Sequence, residues 1–227
     1  MAKRLSKLFR TIFDTDRVIN VCINHTGKMA GMYSISTSCT LNKYCIERSK
    51  NKDSICSNCF AQSMFRNSWY KLTMRRCEEN TRILTESVLP LEDLPIINAF
   101  AFRFESFGDL NNTTQVINYF NICNINPRVT FAIWTKNPFI IANAIRDGHK
   151  KPENLIIIYS SPLKDRPVEL KKIKSVFPFI DKVFTVWTSK QTAAKHNICI
   201  NCGARACIKC LRCYTKSSND EIAELLK

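Results

Sequence analysis

Residues 128–160, RVTFAIWTKNPFIIANAIRDGHKKPENLIIIYS, decide the reading of the fold. RVTFAIWT (128–135) and NLIIIYS (154–160) are short apolar runs rich in β-branched and aromatic residues, as strands buried on both faces require. Between them stands the punctuation of a helix: Asn137 at the N-cap, Pro138 in the first turn and Gly148 just past the end. Strand, helix and strand in such quick succession predict a parallel βαβ unit.

The same alternation extends both ways. Upstream, INAFAFRF (97–104) reads as a strand and TTQVINYFNIC (113–123) as a helix. Further upstream, MAGMYSIST (29–37) reads as a strand running into Cys39, and residues 59–88, free of Pro and Gly, as one long helix or two, closed by Pro90 and Pro95. Downstream, KVFTVWT (182–188) is a strand, preceded by a short helix within Pro167–Val176. The fold class is therefore α/β: a parallel sheet, open or curled into a partial (β/α) barrel of about five or six strand–helix units, then a cysteine-rich C-terminal segment. A full eight-fold barrel typically takes ~250 residues, so a partial one suits 227. The expected divisions are a basic N-terminal helix or extension (1–20, with Leu5, Leu8, Phe9 and Ile12 inward), the partial barrel (21–189), and a metal-binding tail (190–227) ending in a short helix capped by Ser218 and Glu221.

No apolar run reaches the ~18 residues of a membrane span, and the start, MAKRLSKLFRTIF, lacks the continuous apolar core of a secretory signal. A cytoplasmic protein with no membrane partner is expected. In a reducing compartment its 12 cysteines read as ligands, catalysts or core residues, not as a disulfide scaffold. The formal charge of +15 favours polyanionic partners such as nucleic acid or phosphorylated ligands.

The cysteines fall into two groups. The tail CINCGARACIKCLRCY holds Cys207, Cys210 and Cys213 at C-x2-C-x2-C spacing, with Cys202 or Cys199 as fourth ligand. Such spacing recurs in cluster-binding loops, whereas zinc sites more often use two well-separated C-x2-C pairs. From Ser189 to Lys216 there is no acid, a setting that favours thiolates. The first group is Cys39, Cys45, Cys56 and Cys59, with the Cys56-x2-Cys59 pair leading into a helix whose amide dipoles favour bound thiolate. A zinc knuckle is the alternative for this group, and a basic, nucleic-acid-binding zinc tail for the other. Cys22, Cys77 and Cys123 sit singly among apolar residues and read as core. His25, His149 and His196 match no metal spacing.

In parallel α/β folds the working residues lie at the C-terminal ends of strands. Cys39, Glu105–Asp109, Thr135–Lys136, Ser160–Ser161 and Thr188–Ser189 occupy such ends. In FRFESFGD (102–109), Arg103, Glu105, Ser106, Gly108 and Asp109, together with Lys136, are candidates to grip an amine, carboxylate or ribose. The plainer interpretation is a solvated turn with an acid near the next helix start.

These features, taken together, resemble the bacteriophage "gene product eighty-eight" family, whose members look like relatives of radical S-adenosylmethionine (SAM) enzymes. The matching residues are Asn24 and Lys28 before GMYSIST, then Cys39, Cys56-x2-Cys59-Phe-Ala, Arg103-x-Glu-Ser-x-Gly-Asp109, Trp134-Thr-Lys136 and the run ending Cys213-Tyr214, spanning roughly residues 22–214. The resemblance implies a phage protein of the host cytoplasm with a [4Fe-4S] cluster (one or two) after the first strand. It also implies SAM bound near Glu105–Asp109, a reductant such as flavodoxin or ferredoxin, and a small-molecule or nucleic-acid substrate. The chain departs from the usual C-x3-C-x2-C signature: ten residues separate Cys45 from Cys56, and Asn58 stands where an aromatic is usual.

Overall fold

The predicted apolar runs all become neighbours in one sheet. A computed structural model of the chain describes residues 18–203, 206–216 and 220–226. Its strands are β1 (Cys22–Ile23), β2 (Tyr33–Ile35), β3 (Ala101–Phe104), β4 (Thr130–Thr135), β5 (Leu155–Lys164), β6 (Lys182–Trp187) and β7 (Glu221–Leu225). They hydrogen-bond in sequence order, β1 antiparallel to β2 and every later pair parallel. The sheet is open, with β1 and β7 at its edges.

Helices occupy the crossovers. Between β2 and β3 come α1 (Lys43–Ser49), α2 (Phe60–Phe65) and α3 (Lys71–Glu86); then α4 (Thr113–Ile125), α5 (Pro138–Arg146) and α6 (Leu170–Val176) follow β3, β4 and β5 in turn. Consecutive parallel strands joined by crossovers of one hand put their helices on one face, and the core has that form. Phe102, Phe104, Phe131, Ile133, Leu155 and Ile157 share one apolar cluster with Leu84 of α3, Tyr119 and Ile122 of α4, Ile141 of α5 and Leu170 of α6.

The opposite face is lined by the alternate residues Ala101, Ala132, Ile156 and Ile158, and the cysteine-rich tail covers it. Tyr214, Cys207, Ile208, Leu211 and Cys213 pack there. Small side chains at Ala101 and Ala132 leave room for the tail to lie against the strands. Each large side chain buried in this way contributes about 1.5–3 kcal/mol, so the tail is part of the core and not an appendage.

Several expectations need correction. The last short helix is instead strand β7, and it extends the sheet rather than a separate tail. EIAEL has fair helix propensity, but the open edge of β6 offers a ladder of hydrogen bonds, and tertiary pairing overrides propensity. The alternation does not stop at Ser189: that residue caps α7 (Lys190–Lys195), accepting from Thr192 N at 3.0 Å. Strand β5 runs past Ser160–Ser161 to Lys164, so those serines are not a strand end. Cys22 is half-buried, whereas Cys77 and Cys123 are buried as expected. The N-terminal helix falls on residues 1–17, and Ser218 on 217–219, outside the described residues. Among the described residues no helix is long and apolar enough to cross a membrane.

Candidate metal centres

Cys39 follows β2, and its loop is held from several sides. Thr37 donates from its backbone N to Glu105 Oε2 at 3.1 Å, and Ser38 N donates to Thr81 Oγ1 at 2.8 Å. Asn42 caps α1 by accepting from Cys45 N at 3.2 Å, and its amide donates to the carbonyls of Asp109 and Leu110. Ser54 accepts from Cys56 N at 3.1 Å, while Cys59 is the N-cap of α2. These local devices bring Cys39, Cys45, Cys56 and Cys59 to one cavity of about 40 Å³, shared with Tyr44, Gln62, Phe107, Gly108, Asp109 and Lys136. The cavity sits at the C-terminal ends of β2, β3 and β4, where parallel folds place their chemistry.

The electrostatics of this cavity favour anionic sulfur at Cys59 and oppose it at Cys39 and Cys45. A hydrogen bond from Cys39 and the amides of Gln62 and Ala61 hold the Cys59 thiol below its ordinary range, against burial. The Cys39 thiol is correspondingly raised by that bond and by burial. Burial also raises Cys45. Burial opposes the charge on Lys136, yet Asp109 and the sulfurs of Cys56, Cys45 and Cys59 outweigh it and keep the ammonium protonated. Cys77, read as core, does lie in the interior, but against Cys39; no local spacing pointed to that neighbour.

The turn after β3 is not solvated. Glu105 is 2% exposed and has a left-handed φ of 58°. Its carboxylate accepts from Thr37, from Gln115 Nε2 at 2.6 Å and from the Tyr119 hydroxyl at 2.5 Å. Burial raises its pKa to about 7 despite these donors. Asp109 accepts from Thr135 Oγ1 at 2.6 Å, Lys136 N at 2.9 Å and Leu110 N at 2.8 Å. Both acids are therefore engaged in tying β2, β3, α4 and β4 together. A Cβ on Gly108 would lie 2.5 Å from the Thr37 carbonyl oxygen, so only glycine permits this packing. The Ser106 hydroxyl is buried without a partner.

Arg103 does not join that turn; alternation sends it to the tail face. It stacks on Trp134 with 4.1 Å from Cζ to the ring centroid, and its Nη1 donates to Met29 Sδ at 3.5 Å. There it meets the second group. Cys213, pushed up to about 12 by burial, feels Cys202, Cys207 and Cys210. Burial raises the Cys207 thiol, and Arg103 and Lys28 offset only part of that rise. Lys28 donates to Cys202 Sγ at 2.9 Å and to Glu224 of β7 at 2.8 Å. Cys199 is exposed and lines a separate pocket beside Asn201 and Glu221, which leaves Cys202 as the fourth member. Two buried donors beside these sulfurs, Arg103 Nε and the Tyr214 hydroxyl, have no hydrogen-bond partner among the described residues.

The eight sequence-selected cysteines thus divide between a strand-end cavity and the tail-covered face. Among the described residues, no three His, Cys, Asp or Glu side chains stand in metal-binding geometry, so each set shares a neighbourhood without forming a coordination sphere. His196 packs against Trp187, with ring centroids 5.4 Å apart. Comparison with protein-family models, curated proteins and solved structures gave no match to this chain.

Proposed function

We propose that the chain is an iron–sulfur protein on a partial (β/α) barrel related to radical SAM enzymes. Cys39, Cys45, Cys56 and Cys59 would supply the ligands of a [4Fe-4S] cluster at the strand ends, and Cys202, Cys207, Cys210 and Cys213 those of a second centre. The observation that carries this reading is the convergence of four cysteines from separate segments on one cavity, beside a lysine kept cationic. The two unpartnered donors, Arg103 Nε and Tyr214 OH, support it, since bridging sulfides are acceptors for such groups.

When bound, a reduced cluster supplies one electron to split a carbon–sulfur bond of SAM. This chain's own part is to bind and to orient. A catalytic metal site keeps one position open, so for SAM chemistry three of these four cysteines would hold the cluster. Glu105 and Asp109 brace the strand ends, so the polar groups of the cavity wall left for SAM would be the Gln62 amide and the Lys136 ammonium. The phage origin and host cytoplasm belong to the same proposal.

The test is anaerobic reduction in the presence of SAM. Release of 5′-deoxyadenosine by the wild type, and its loss in Cys39→Ala and Cys56→Ala, are expected. No release under strong reductant from cluster-loaded protein rejects the SAM step and leaves a cluster carrier. A second reading, a zinc-stabilised nucleic-acid-binding protein, draws on the acid-free stretch Ser189–Lys216. Colourless protein with stoichiometric zinc would favour it.

A further inference from the structure

The crossover between β2 and β3 carries Cys45, Cys56 and Cys59, and beyond Gln62, the last of its residues to line their cavity, it continues through a basic stretch. Residues 43–76 hold eight Lys or Arg against two acids, and none of those cations forms an ion pair among the described residues. Within this stretch Trp69 is 89% exposed. Tryptophan is highly buried on average, and in this chain Trp187 is fully buried.

The exposure of Trp69 is built in. Asn67 Oδ1 accepts from Trp69 N at 3.0 Å, fixing the tight turn Ser68–Tyr70. Tyr70 packs inward against the cluster around Cys39 and Phe65, so the turn is anchored while the neighbouring indole faces solvent. In the first turns of α3, Lys71 and Arg75 are exposed and stand at i,i+4, as do Leu72 and Arg76, forming adjacent ridges on one face. Arg66 is exposed just before the turn. Phe60, 59% exposed, lies 6.0 Å from Phe107, which lines the cavity.

We propose that this stretch binds single-stranded nucleic acid, with a base stacked on Trp69 and phosphates on Arg66, Lys71 and Arg75. An aromatic ring set among unpaired cations is the pattern of single-strand binding surfaces. A duplex offers no free base face to such a ring. An acidic protein would use the cations and leave the indole exposed, and a membrane would want a continuous apolar patch, which Asn67, Ser68 and Lys71 interrupt. The inference is independent of which metal the cysteines bind. It also differs from the tail-based reading in the surface it names.

The test is titration of the protein with labelled oligo(dT) and oligo(U) of about 16 nucleotides, read by anisotropy and by quenching of tryptophan fluorescence. Binding at low salt with quenching is expected. Trp69→Ala should weaken it about tenfold and remove most of the quenching. The triple variant Arg66→Ala/Lys71→Ala/Arg75→Ala should reduce the slope of log K against log salt by about 2, at ~0.7 per phosphate contact. All of these side chains are exposed, so circular dichroism and metal content should match the wild type. Stronger binding of one oligonucleotide would assign the strand as DNA or RNA. The proposal is overturned by absence of binding at low salt, or by variants that bind like the wild type. It is equally overturned by loss of binding only in Lys209→Ala/Lys216→Ala, or by a wild type that binds anionic vesicles or an acidic protein but no oligonucleotide.

Discussion

Glu105 illustrates how one side chain can serve the frame rather than the ligand. Its pKa is raised by burial from 4.5 to about 7. Between those values the native protein binds more protons than the unfolded chain, so stability falls as pH rises through that window. At 1.36 kcal/mol per pKa unit the loss approaches about 3 kcal/mol. Urea denaturation across this range should show the decline, and Glu105→Gln should flatten it. Gly108→Ala, which forces a methyl group to 2.6 Å from Glu105 Oε2, should cost about 1–3 kcal/mol by the same measurement. The sequence made ESFGD noticeable but could not show that Thr37, Gln115 and Tyr119 would meet its first acid. Those partners are scattered along the chain, and only the assembled sheet aligns them. Arg103 shows the converse: alternation sets it opposite Phe102 and Phe104 on the tail face, but alternation would also put Glu105, two residues on, beside it. The left-handed backbone at Glu105 turns that side chain away, and nothing local in the sequence announced that conformation.

Among the elements, β3 to β6 and their helices were legible because each is an apolar run with its own turn residues. In α5, Pro138 and Gly148 mark the ends as expected, although Asn137 makes no side-chain cap bond. Strand β7 was not legible, since Glu, Ala and Leu suit a helix and nothing local announces the vacant edge of β6. Asn201 fastens it there: its amide donates to Glu221 O at 2.9 Å, and its Oδ1 accepts from Ala223 N at 3.0 Å. Cys202 N donates to Ala223 O at 3.0 Å, so the strand positions a tail cysteine. Ile222 is 1% exposed, and Ile222→Ala should therefore cost about 2–5 kcal/mol in urea denaturation. Metal should be lost from the tail before it is lost from the strand-end cavity. A helical or solvated terminus would show neither effect.

Across the whole molecule, the helices cover one face of the sheet, the tail covers the other, and the two cysteine sets lie at different places on this frame. The sequence singled out two groups of cysteines and left open whether they build one centre or two. The structure separates them, because every sulfur-to-sulfur influence found for Cys39 and Cys45 stays within residues 39–77 and that for Cys213 within the tail. Cys39→Ala and Cys210→Ala should then each remove about half of the bound metal, whereas a single shared centre would lose nearly all of it in either variant.

The most direct test is iron and acid-labile sulfide analysis of anaerobically purified protein, with its absorption spectrum. Iron and sulfide in equal amounts, with a brown chromophore near about 400 nm, are the predicted result. Protein free of iron and zinc, with all twelve thiols open to titration, would contradict the account; zinc alone would contradict its iron–sulfur chemistry.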